Sequence, residues 1–125
     1  DSLAIFSKNR KDLSSEFYVF PKRPGEYILE PIKSFNVKSL ITGGDYDEKL
    51  RLLALSAYDF NSDEQYIHVL QNFDLNKINY LEFIKYTLPI RDVQIEAIKI
   101  IDNQTFWLTS ESERFGYPKL LKIKL

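Results

Sequence analysis

Along the chain, short runs rich in Ile, Leu, Val, Phe and Tyr are cut by polar turns, and no stretch keeps the 3.6-residue period of an amphipathic helix. The pattern predicts strands over residues 2 to 8, 16 to 21, 26 to 36, 39 to 46, 50 to 58, 65 to 72, 78 to 88, 93 to 101, 104 to 110 and 118 to 125. Between them stand turn residues such as Pro24-Gly25, Gly43-Gly44, Asn61-Ser62-Asp63, Asn76-Lys77 and Asp102-Asn103. Leu52 to Ala57 is apolar on both sides of its strand except at Ser56, and Phe106 to Leu108 behaves alike, so these strands are expected to be covered on both faces. Tyr27 to Phe35 and Tyr80 to Leu88 alternate instead, with Glu30, Lys33, Glu82 and Lys85 among apolar residues, as outer strands would.

One passage occurs twice. Ile41 to Ala57 (ITGGDYDEKLRLLALSA) and Ile95 to Glu111 (IEAIKIIDNQTFWLTSE) each open on Ile, a polar residue and a small one, cross a polar turn, and end in an apolar run closing on Ser56 or Ser110. The offset is 54 residues throughout, and Ser2 to Lys8 repeats Arg51 to Ala57 as a partial third copy. Strand repeats of about 50 residues point to a propeller or another stacked array. The expected fold is therefore all-β: antiparallel four-stranded blades, about three of them, over repeats of residues 1–37, 38–89 and 90–125 in a single domain or fragment. The middle repeat holds four strands. The first lacks an innermost strand and the last an outer one, so the missing N-terminal half of a ring, or a second copy in a homodimer, is the expected partner.

Composition narrows the classes. The 125 residues carry 44% hydrophobic and 14% aromatic residues, ample for a core, and a formal net charge of -1 that disfavours nucleic acid as a partner. No run approaches the ~20 apolar residues of a membrane span. Cysteine is absent, which removes disulfides, thiolate metal sites and cysteine nucleophiles. Methionine is absent too, including at position 1, so the chain reads as a processed or excised product.

Gln94-Ile95-Glu96-Ala97-Ile98, Trp107-Leu108-Thr109-Ser110-Glu111 and Pro118-Lys119-Leu120-Leu121-Lys122-Ile123 together resemble the terminal blade of six-bladed propellers of the esterase-like phytase and SdiA-regulated type, with their "IEGI", "SSE" and closing "LYKI" elements. Ala97 stands for the glycine of the first element and Thr109 for a serine of the second. The resemblance implies an exported bacterial protein, secreted or lipid-anchored, and hence an extracytoplasmic location.

Candidate chemistry is sparse. Glu96, among apolar residues of an innermost strand, needs a partner to stay charged: it is either a channel ligand or a structural acceptor of backbone hydrogen bonds. With Glu111 it is a candidate pair for calcium, which wants several oxygen ligands; Asp45 and Asp47 are further carboxylates, Asp47 more simply a turn former. His68, the single histidine, has no catalytic partner in the sequence and is read as a packed or surface residue. Ser56 and Ser110 lack the glycine-flanked nucleophile turn, Gly43-Gly44 lacks a phosphate-loop context, and Asn103-Gln104-Thr105 is a glycosylation sequon in a tight hairpin. Lys8 and Arg10 in one loop, Asp59 and Asp63 in the next, and Arg114 in the last form a rim of mixed charge suited to a protein or polar ligand. Two functions compete: a noncatalytic binding or scaffold propeller needing no cofactor, and a metal-dependent hydrolase, phytase- or lactonase-like, with channel carboxylates and calcium.

Overall fold

The strands pair antiparallel into three sheets, in a computed structural model that describes residues 2–59, 61–112 and 117–125. The first sheet joins β1 (Ser2–Phe6), β2 (Ser15–Pro21) and β3 (Lys33–Phe35) in that order. The second runs β4 (Leu40–Asp47), β5 (Leu52–Asp59), β6 (Glu64–Leu70) and β7 (Ile84–Leu88). The third comprises β8 (Val93–Ile100), β9 (Thr105–Ser112) and β10 (Lys119–Lys124), with β9 in the centre. The protein is all-β with antiparallel sheets, and among the described residues no helix is long and apolar enough to cross a membrane.

The middle sheet lies between the other two, which is why β5 is apolar on both sides except at Ser56 and its terminal Asp59. Leu53, Leu55 and Ala57 enter one core cluster with Phe17, Phe35 and Ile78, while Leu52 and Ala54 point the other way, to Ile95, Ile98, Phe106 and Leu108 of the third sheet. Leu52 to Tyr58 are all buried. A fully buried ring such as Phe106 stabilises by roughly 3–5 kcal/mol relative to alanine at such a site.

Two expected strands are shorter than their alternation suggests. Residues 26 to 36 contribute only Lys33–Phe35, because Pro24 and Pro31 remove ladder donors and the chain between them is largely exposed, Ile28 at 99%. The segment 78 to 88 is a strand only from Ile84; before it lies a 3₁₀ turn, Leu75–Tyr80. Asp74 caps that turn by accepting the Asn76 amide hydrogen, and Ile78 alone drops into the core.

The repeated passage has a structural basis. In β4 the register shifts between Ile41 and Gly43, and in β8 between Ile95 and Ala97, so the polar second residue of each copy, Thr42 or Glu96, is the extra residue of a β-bulge. Beyond the turn the copies slip. Tyr46 pairs with Leu53 but Ile100 with Phe106, so the second connection is one residue shorter and Ala57, not Ser56, is the counterpart of Ser110. The upstream copy is also out of step: Phe6 and Leu55, which it aligns, enter the same cluster from opposite sheets.

Candidate functional site

The bulges bring β4 and β8 together, and the candidate carboxylates sit there. Glu96 is half-buried at the bulge of β8, its backbone against Gly43 of β4 and its carboxylate accepting a hydrogen bond from the Gln94 side-chain amide. Gln94 faces Glu111 across the ladder, and Glu111 is exposed. Gln94 thus connects the two positions: bonded to one carboxylate, in register with the other. Among the described residues no group of three or more His, Asp or Glu side chains is gathered as metal ligands. At the matching bulge, Thr42 Oγ1 lies 3.0 Å from Ser56 Oγ, so this extra residue bonds the neighbouring strand β5, whereas Glu96 bonds within its own strand.

Polar side chains also join the two sheets across their contact. Asp45 Oδ2 accepts from Lys99 Nζ at 2.7 Å and from the Ile100 amide at 2.8 Å, and the buried Gln65 Oε1 accepts the Ile95 amide at 3.1 Å. Asp45 therefore serves as an inter-sheet clamp. Asp47 accepts the Leu50 amide hydrogen within its turn, in keeping with its reading from sequence.

The rim residues divide between turn formation and surface. Lys8 places its ammonium 5.1 Å from the centre of the Tyr58 ring, bringing the first-sheet loop onto the end of β5 beside Asp59. Asp59 accepts from the Asn61 amide at 2.9 Å and from Ser62 Oγ at 3.2 Å, and Asp63 holds the left-handed φ of 56° that closes the same turn. Arg10 is exposed. Arg114 lies outside the described residues.

No family model, curated protein or solved structure matches this chain.

A cleft between the edge strands β3 and β7 holds side chains that the sequence pattern did not bring together. It has a volume of about 370 Å³ and is lined by Lys33, Lys38, Lys85, Phe35, Phe83 and His68, among others. His68, 1% exposed, is packed on β6 and not at the surface, with Nε2 2.7 Å from Ser39 Oγ. Burial first, and the Lys85 ammonium second, push its pKa down to about 4, so the ring is neutral at pH 7. Alternation assigns Lys33 and Lys85 to a wet face. Lys85 is exposed and Lys33 half-buried, yet their ammonium groups lie back 3.6 Å from the Tyr66 ring centre and 4.7 Å from that of Phe35. The available signal is a lysine recurring in the two outer segments, in each case three residues after a glutamate.

Proposed function

We propose that this chain is a noncatalytic binding or scaffold unit, formed as part of a β-propeller in an exported bacterial protein that works outside the cytoplasm. One observation carries the reading: a four-stranded sheet covered on both faces by neighbouring sheets, with β4 and β8 meeting at matching bulges. A propeller blade has this surrounding, since each sheet is packed between two others and the first strand of each lies nearest the axis. The location rests on the resemblance of Gln94 to Ile98, Trp107 to Glu111 and Pro118 to Ile123 to the terminal blade of exported propellers.

The end sheets favour completion by a further copy. On the first, Leu3 and Ile5 are 43% and 45% exposed; on the third, Trp107 and Leu120 are 38% and 66% exposed. Apolar faces of this kind mark association surfaces. Two copies supply six sheets, and the rim of Lys8, Arg10, Asp59 and Asp63 then lies on the assembled body as a surface for a protein or polar ligand.

Light scattering after gel filtration, with and without calcium, tests the reading. A mass near twice the 14.8 kDa chain supports it. A stable monomer, unchanged by calcium, removes both ring completion and a calcium site at Glu96 and Glu111.

A further inference from the structure

The cleft between β3 and β7 owes its shape to short elements. β3 ends at Phe35, the chain turns through Lys38 with a left-handed φ of 50°, and β7 does not begin until Ile84. The sheets separate here, and two aromatic rings, Phe35 and Phe83, stand against each other in the wall with centres 4.9 Å apart.

Two of the three positive charges at this opening are held in place. Lys33 Nζ donates to the carbonyls of Ile78, Asn79 and Leu81 at 2.9, 3.2 and 2.7 Å. Its three protons are thereby engaged, and it contributes a fixed positive field without further donors. Lys85 is different. Its Nζ bonds the Lys38 carbonyl at 3.2 Å and lies over Tyr66, which leaves donor capacity toward the cleft. Lys38 is exposed at the mouth. Against these three cations the lining holds one carboxylate, Glu82, in a chain whose formal net charge is -1.

We propose that this cleft binds a small organic carboxylate, its anionic head between Lys38 and Lys85 and its apolar body against Phe35 and Phe83. A volume of about 370 Å³ falls at the small end of ordinary ligand sites, ~300–1,000 Å³. Apolar walls with a few convergent polar groups are the usual composition of such sites. The Lys85 ammonium, already held by a carbonyl and a ring, loses little freedom when the anion arrives. Partial desolvation, which lowers the Lys85 pKa, strengthens its attraction for an anion relative to a lysine in open water. The site does not depend on what covers the end sheets.

His68 makes the test direct, because it is the single histidine and lines the cleft. The full chain is titrated with sodium benzoate while the His68 ring signals are followed by NMR, with benzyl alcohol and inorganic phosphate as separate arms. Expected is a saturable shift with benzoate at a Kd on the order of millimolar, and affinities about tenfold weaker for both controls. Lys85→Gln and Lys38→Glu, checked for folding by circular dichroism, each weaken benzoate about tenfold, and Lys85→Arg restores most of it. Absence of a saturable shift overturns the proposal. So does equal binding of benzyl alcohol, which removes the role of charge, or equal binding of phosphate, which removes the role of the apolar body. Unchanged affinity in Lys85→Gln overturns it as well.

Discussion

Gly43 packs so closely on Glu96 that a Cβ at position 43 would stand 2.8 Å from the Glu96 carbonyl oxygen and 3.0 Å from the Ala97 Cα. Its φ is not positive, so the need is for space and not for backbone freedom. Backbone cannot retreat as a side-chain end can, and Gly43→Ala is expected to destabilise by about 1–3 kcal/mol. Gly44→Ala meets chiefly the Leu55 Cδ2 at 2.8 Å, a movable methyl, and should cost less. Urea unfolding midpoints of the two variants decide it, and equal losses would remove the bulge contact as the constraint.

Asp45 accepts two hydrogen bonds from the third sheet, one from an amide and one from an ammonium. The ammonium belongs to a largely exposed side chain, 65% accessible, and such ion pairs contribute about 0–1 kcal/mol. The amide has fewer alternatives. Asp45→Ala should therefore cost about 1–3 kcal/mol and Lys99→Met under about 1 kcal/mol, measured in a double-mutant cycle. A Lys99 effect as large as that of Asp45 would reverse the assignment.

Lys33 ties β3 to the 3₁₀ turn through three carbonyls near its end. Replacing it with methionine keeps the stem over Phe35 and removes the charge-assisted bonds, each worth roughly 1.5–3 kcal/mol at most. Faster amide exchange confined to residues 74 to 83 is expected. Exchange unchanged there, or raised evenly over the chain, would show that the turn holds without the lysine.

His68 makes stability depend on pH in a defined direction. Its folded pKa is about 4, against an ordinary 6.5, so as pH falls through 6.5 the unfolded chain takes up the proton first. Stability is full above about pH 6.5, declines toward pH 4 and then levels, by up to about 3 kcal/mol in all. Lys85, charged throughout, adds to the effect, whereas the Ser39 hydroxyl does not titrate in this range. The exposed carboxylates Asp12 and Asp102, lowered below 3.8 by nearby hydrogen bonds, act only further into acid. Unfolding free energies at pH 7.5 and 4.5 should differ in the parent and converge in His68→Gln, whose amide can still bond Ser39. A slope retained in the variant would assign the pH dependence elsewhere.

Much of the architecture was readable where burial leaves a simple mark. The run of Leu52 to Ala57, apolar except at Ser56, indicated a strand covered on both faces, and the repeat of Ile41-Thr42-Gly43 at Ile95-Glu96-Ala97 marked two places of like structure without revealing that both are bulges. Alternation misled at residues 78 to 83, because a turn that buries Ile78 and exposes Tyr80 leaves the same polar and apolar sequence as a half-buried strand. The lysine cleft was hidden for a related reason. Period-two patterning tells which face a residue takes, yet not that a long stem can lie back over Phe35 or Tyr66. Asp45, read as a further carboxylate for a calcium site, owes its role to an amide on another sheet, a partner that no local pattern specifies.

Two of the edge strands, β1 of the first sheet and β10 of the third, are unlike. β10 carries Lys119, Lys122 and Lys124 within six residues, whereas β1 (SLAIF) carries no charge. Two β10 edges brought side by side would set like charges opposite one another, which is unfavourable. Association through these edges, as proposed above, would therefore have a polarity, the neutral edge of one molecule against the cationic edge of the next. Contacts of that heterologous kind form a finite body when the rotation between neighbours closes and a filament when it does not. The angle between the sheets thus sets more than the shape of one molecule: it decides whether such growth can stop.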